Sequence, residues 1–227
     1  MKYYPVNLNI SGRNCLVVGG GGVASRKVYS LLDCGARVTV VSPELNRNLE
    51  ALSERPDVTL HKRPYQSGDL KGHFLVIGAT NDMELNRRIS ADAEGREMLC
   101  NIADVPDACN FILPSVVRQG DLVLAISTSG KSPAFAKHLR KSLQNAYGPE
   151  YARLLRLMGG IRKRLLEQQH APEAHKPLFE RLIESDLLQL LRNKDTCAIN
   201  RLLGRVLGEG FDYDTLMAEN EDRETGA

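Results

Sequence analysis

Four consecutive glycines, Gly19–Gly22, close a short apolar run, Cys15-Leu16-Val17-Val18, near the start of the chain. The residues after them, Val23 to Cys34, have the spacing of a helix that stops at Gly35. A strand that ends in glycines and reopens as a helix fits G-x-G-x-x-A, with Gly19, Gly21 and Ala24 in the three small-residue positions. A pyrophosphate settles on a helix N-terminus only where backbone can approach it with no Cβ in the way. Taken alone, the pattern is also that of an ordinary tight turn, so its surroundings decide what it means.

The surroundings favour a nucleotide. Ala36-Arg-Val-Thr-Val-Val41 reads as a second, β-branched strand bounded by Ser42-Pro43. In a dinucleotide fold an acid about 20 residues after the glycines binds the ribose hydroxyls. Here the strand tip is Ser42 and the first carboxylate is Glu44, so either Glu44 reaches back or backbone and Ser42 hold the ribose. Arg47 reads as a solvated helix residue rather than a 2′-phosphate partner, which favours NAD over NADP. Further strands are predicted near 58–62, 74–78 and 98–102, with helices near 44–54 and 82–95, the last capped by Asn81-Asp82. Strands alternating with helices in this way imply a Rossmann-like parallel, doubly wound α/β sheet over residues 1–113. The Gly78-Ala79-Thr80-Asn81 turn after the fourth strand puts Thr80 beside the cofactor crevice.

The character of the chain changes after Pro114. Residues 115–118 and 122–127 flank Gln119-Gly120-Asp121 as a hairpin too small to bury its own faces. A hairpin of this size is predicted to join another sheet or a second subunit, and 114–147 stands apart as a segment of its own. The loop Ser127-Thr128-Ser129-Gly130-Lys131-Ser132 enters a helix at 132–146, with Pro133 in its first turn. Gly148-Pro149 breaks it, and helices near 150–169, 176–192 and 195–207 form a helical domain over 148–227, its last ten residues frayed.

Charge and composition narrow the function. The net charge of +2 hides an asymmetry: residues 131–170 hold nine basic side chains, from Lys131 to Arg164, against Glu150 and Glu167. Residues 1–130 balance, and 171–227 are acidic. Such a segment suits a polyanionic ligand, and its few aromatics argue against nucleic acid. No apolar run approaches the ~18 residues of a membrane span, and Met1-Lys-Tyr-Tyr-Pro5 lacks the apolar stretch of a secretory signal. Five cysteines with no C-x-x-C spacing read as reduced thiols of a cytoplasmic protein. No His, Cys or carboxylate cluster has metal-ligand spacing, so no resident metal is expected.

Several separately placed motifs complete the pattern. They are Val18-Gly-Gly-Gly-x-Val-Ala-x-Arg-Lys27, the Gly-Ala-Thr-Asn turn, Asn101-x-x-Asp104, Phe111-Ile-x-Pro-Ser115 and Ser127-x-x-Gly-x-Ser-Pro133. In this order, over about residues 1–170, they resemble the precorrin-2 dehydrogenase / sirohydrochlorin ferrochelatase family. That family is the N-terminal module of siroheme synthases and also a stand-alone enzyme. The resemblance implies NAD-dependent oxidation of a carboxylate-fringed tetrapyrrole, with Fe²⁺ insertion as a second activity that members do not share uniformly. It assigns general-base work to Asp104, pyrophosphate contacts to Gly22 and Val23, the adenosine side to Pro43 and Glu44, and the ribose or nicotinamide to Thr80. Asn101, Asn110 and the loop Ser127, Thr128, Ser129, Lys131 and Ser132 would line the substrate cleft. It also implies a homodimer whose cleft combines one subunit's cofactor domain with its partner's basic region. Thr128 stands where some members carry a phosphorylated serine, so that modification is not carried over. His138 reads as an exposed helix residue. The nucleotide features alone would also suit a non-catalytic NAD(H)-sensing module, which has no need of Asp104 and a basic segment facing the nicotinamide.

Overall fold

Five short β-branched runs form a parallel sheet: β1 (Asn14–Val18), β2 (Arg37–Val41), β3 (Val58–His61), β4 (Leu75–Gly78) and β5 (Leu99–Ile102), in the order β3-β2-β1-β4-β5. The structure is a computed structural model that describes residues 2–168 and 172–219. Both faces of a parallel sheet are covered by helices, so its strands are apolar on alternate sides. Cys15 and Val17 point to one face with Ala24, Val28 and Leu31 of α1 (Gly22–Leu32). Leu16 and Val18 point to the other with Ile89 and Ala93 of α3 (Met83–Glu94). Burial pushes the thiols of Cys15 and Cys100 up to about 11, as inert core groups; each is raised a little further by a neighbouring cysteine.

The helix predicted over 44–54 is shorter: α2 spans Arg47–Glu50. Its entry is fixed by Asn46, whose Oδ1 accepts from Leu49 N–H at 3.0 Å while its amide meets Ser25 Oγ at 2.8 Å. That side chain ends the preceding loop where the sequence pattern ran on.

Contacts divide the chain into two units, Met1–Leu113 with Ser129–Lys131, and Pro114–Thr128 with Ser132–Ala227. In the second, β6 (Ser115–Gln119) and β7 (Leu122–Ile126) pair antiparallel. Val117 is buried, whereas Val116 and Val123 on the opposite face are 42% and 44% exposed. Then come α4 (Pro133–Ala146) and α5 (Glu150–Glu167). The single helix predicted over 176–192 is two, α6 (Pro172–Ile183) and α7 (Leu187–Asn193). Ser185 separates them, its hydroxyl donating to Leu182 O at 2.7 Å and accepting from Leu187 N–H at 3.2 Å. α8 (Thr196–Leu207) matches the prediction, and α9 (Tyr213–Ala218), which the sequence reading did not foresee, buries Leu216. The end predicted near 169 and the tail beyond 219 lie outside the described residues.

His73 carries a pH dependence. Its Nε2 lies 3.1 Å from Thr39 Oγ1 of β2, and its buried Nδ1 has no hydrogen-bond partner among the described residues. Burial, the largest cause, lowers its pKa, with the Asp69 carboxylate and the backbone of the 69–71 turn opposing. The fold therefore holds His73 neutral while the unfolded chain protonates near 6.5. Stability is then level above pH 6.5 and falls as the pH drops below it; in His73→Gln, urea midpoints at pH 7 and pH 5 should lie closer together than in the parent.

Candidate active site

The strand order reverses beside β1, and in open α/β sheets ligands bind outside the carboxyl ends of the strands at that point. Here the ladder continues past the strand ends through single backbone bonds. Gly19 N–H donates to Val41 O (3.0 Å), Ala79 N–H to Val18 O (2.8 Å) and Ala103 N–H to Gly78 O (2.8 Å). These bonds set the turns after β1, β4 and β5 side by side, with Thr80 and Asp104 one residue beyond the bonded positions.

The four glycines divide by purpose. A Cβ on Gly19, whose φ is +129°, would lie 2.3 Å from Ala79 O. One on Gly20 would lie 1.7 Å from Glu44 O, and Gly20 O itself accepts from Asn46 N–H at 2.9 Å. These two glycines let three loops touch backbone to backbone. A Cβ on Gly21 or Gly22 would meet nothing within 4 Å. Neither packing nor a left-handed φ requires glycine there, so what these two leave open is space at the first turn of α1. Gly21 caps that helix without a side chain, and the first turn holds no acid. The donor set therefore fits a pyrophosphate. Gly20, given no site role by motif or resemblance, is the tightest of the four; only the packing of 42–46 could reveal it.

Pro43 and Glu44 are exposed in the loop after β2, and Glu44 abuts the glycines through its carbonyl. Ser42 is buried beneath them. The Thr80 hydroxyl lies 2.8 Å from Asn86 Oδ1 and accepts from Asp82 N–H at 3.2 Å, while Asn86 Nδ2 donates to Thr80 O at 3.0 Å. Asn86, nearly fully buried, thus fixes the turn, and no local motif in the sequence announced it.

Asp104 is exposed, with a left-handed φ of +61°. Lys27, half-buried on α1, is within electrostatic reach of it: burial first and then Arg26 lower the lysine pKa, and Asp104 opposes them. The carboxylate after β5 and an ammonium on α1 thus belong to one edge of one unit. The neighbouring asparagines are turned to backbone. Asn101 Nδ2 donates to Phe111 O at 3.0 Å, and Asn110 takes Cys100 N–H at 2.8 Å and donates to Met98 O at 2.7 Å. They shape the loop rather than offering free amides to a ligand.

In the Ser127–Ser132 loop, Ser129 has φ +51°. Ser132 caps α4 by accepting from Phe135 N–H at 3.2 Å, and the Thr128 hydroxyl accepts from Ser132 N–H at 3.2 Å. Ser129 and Lys131 are exposed and Ser127 likewise, with Ser129–Lys131 grouped with the first unit. Part of the basic segment is spent internally. Arg153 donates to Leu191 O at 3.0 Å, and Arg164 donates to Gly210 O at 2.7 Å and pairs with Glu219. Among the described residues no group of three His, Cys, Asp or Glu is placed to hold a metal ion, and no helix is long and apolar enough to cross a membrane.

Fold and glycine turn together define a nucleotide-binding Rossmann unit, and residues 6–115 match a family model for NAD(P)-binding domains. Residues 119–146 match the model of the sirohaem biosynthesis protein central region. Curated relatives include siroheme synthase of Thioalkalivibrio sulfidiphilus, 36% identical over 93% of this chain and 43% of that protein. Siroheme synthase of Escherichia coli is 34% identical over 94% of this chain and 47% of its own length. The chain spans about half the length of the curated relatives it matches. Among solved structures, SirC, a precorrin-2 dehydrogenase, superposes with a TM-score of 0.77 at 26% identity, over 90% of this chain and 98% of that one. Over these two stretches and along most of its length the chain is thus similar to siroheme synthases and to a precorrin-2 dehydrogenase.

The division among the glycines is testable. Gly20→Ala must displace the Glu44 carbonyl, which costs about 3 kcal/mol and lowers Tm by roughly 10 °C. Gly21→Ala should leave Tm within about 2 °C and weaken NAD⁺ binding about tenfold or more, read by thermal melts and calorimetry side by side.

Proposed function

We propose that the chain oxidises precorrin-2 to sirohydrochlorin with NAD⁺, Asp104 acting as general base. The observation that carries this reading is the placement of Asp104 at the same edge of the sheet, two strands along from the turn where Gly21 and Gly22 leave room for a pyrophosphate. A domain that merely bound the nucleotide would need no exposed carboxylate held there in a left-handed turn.

NAD⁺, when bound, supplies the hydride acceptor. The chain's residues then have three tasks. The first-turn amides of α1 and the space over Gly21 and Gly22 seat the pyrophosphate, while Pro43, Glu44 and Ser42 flank the adenosine ribose. The Gly78–Thr80 turn, fixed by Asn86, borders the nicotinamide end. As a C–H bond of the macrocycle gives up its hydride, a proton must also leave, and the Asp104 carboxylate is placed to take it. Lys27 contributes a nearby positive charge that offsets the negative charge gathered by Asp104 and a polycarboxylate substrate. Lys131, exposed and grouped with the first unit, supplies a further cation for the substrate's rim.

Fe²⁺ enters this reading as a second substrate: the macrocycle's nitrogens would ligate it, and Asp104 would receive the displaced pyrrole protons. Residues 1–113 are the nucleotide domain, 114–147 a dimerisation segment and 148–227 a helical domain. The exposed apolar face with Val116 and Val123 supports a homodimer through the β6–β7 hairpin. NAD⁺ chemistry and free thiols fit the cytoplasm.

Two experiments test the proposal. With precorrin-2 and NAD⁺, Asp104→Asn should lower kcat about 10²–10⁴-fold while NAD⁺ affinity stays unchanged; turnover at the parent rate would remove Asp104 from the chemistry. In light scattering the parent should weigh twice 25.1 kDa, and the Val116→Lys, Val123→Lys double variant should shift towards the single mass. A parent that weighs one chain at micromolar concentration overturns the dimer.

A further inference from the structure

The turn that carries Asp104 closes around a sulfur atom. Cys109 Sγ accepts from Ile102 N–H at 3.1 Å and lies 3.3 Å from Ile102 O and 3.2 Å from Val105 O, one of which takes the thiol proton. Asn101 Nδ2 lies 3.7 Å from the same sulfur. These contacts bracket Ala103 and Asp104 from both sides.

The rest of the loop is anchored further out. Asn110 is bonded to Cys100 and Met98, and Ser90 Oγ donates to Ala108 O at 2.9 Å. Across the turn itself, the backbone bond from Val105 N–H to Ile102 O is long, at 3.4 Å. A non-glycine residue in the left-handed region is disfavoured and persists only where its surroundings hold it. The Cys109 thiol reaches both Ile102 and Val105, which border Ala103 and the left-handed Asp104.

We propose that Cys109 is a positioning residue for Asp104: its thiol, bonded to Ile102 and Val105 together, fixes the turn that presents the carboxylate. This rests on the reading of Asp104 as the general base. The role differs from that of a small apolar filler, because it needs a group that accepts one hydrogen bond and donates another. Serine retains that capacity, whereas alanine and valine lose it, valine while keeping the volume. Catalytic groups tolerate little misplacement, since a shift of about 1 Å can cost 10²-fold in rate.

The test compares Cys109→Ser, Cys109→Val and Cys109→Ala with the parent by two readouts. Hydrogen exchange of the amides over 102–109, measured without substrate, reads the turn itself. Exchange should speed up about tenfold or more in the Val and Ala variants and stay near the parent rate in Ser. Turnover of precorrin-2 should fall about tenfold or more in kcat for Val and Ala, with NAD⁺ affinity unchanged and Ser close to the parent. Parent-like exchange in Val, a Ser variant as impaired as Val, or faster exchange with undiminished kcat each overturns the proposal. Val keeps the apolar volume should Ala fail to fold. A parent protein with no activity on precorrin-2 overturns the functional reading instead, and exchange then decides whether the thiol holds the turn.

Discussion

The first unit depends on backbone touching backbone at the head of β1. Gly19 and Gly20 let three loops close on one another with no side chain between them, and single hydrogen bonds carry the sheet's ladder one residue beyond β1, β4 and β5. This contact ends the strands in step, so the residues that follow them share one edge. It also starts α1 at the switch point, with no side chain capping its first turn. Thr80 and the loop at 43–44 abut that junction, and the bond from Ala103 N–H to Gly78 O carries its register on to the turn of Asp104.

The second unit shows how little a charge count says about a surface. Its core, built around Leu157, Ile161, Leu187, Leu191 and Leu203, is tied by arginines, two of which, Arg153 and Arg164, come from the segment that the sequence offers as a ligand-facing cluster. Arg192 holds the nearly buried Glu150 at 2.7 Å, keeping that carboxyl below its usual range, and Arg153 and Arg164 satisfy backbone carbonyls. A guanidinium paired inside a helical bundle is unavailable to a polyanion. The lysines of α4 are the better reservoir of free charge.

How far the sequence could be read follows from where its signals are local. The five strands and α1 were legible because β-branched runs and the glycine turn state their own conformation. The short α2 was not, because Asn46 spends its side chain on Leu49 and Ser25, contacts that no periodicity encodes. The break between α6 and α7 was hidden because Leu182, Leu187 and Leu191 keep an apolar rhythm across Ser185. At the candidate site, Gly19, Gly21, Gly22 and Asp104 were singled out by motif and family resemblance. Gly20, Lys27, Asn86 and Cys109 were not assigned site roles, since their importance lies in distances to residues remote in sequence or in a thiol that reads as core filler.

The left-handed backbone at Asp104 sets a limit on variation that the chemistry alone would not. A glutamate could abstract a proton equally well, but Asp and Asn are the non-glycine residues that most readily occupy that region. The longer acid would have to bear the strain and would carry its carboxylate past the point where the turn aims it. On the proposed chemistry, drift at this position is confined twice over, once by the proton and once by the bend, and the two demands leave the same short acid standing.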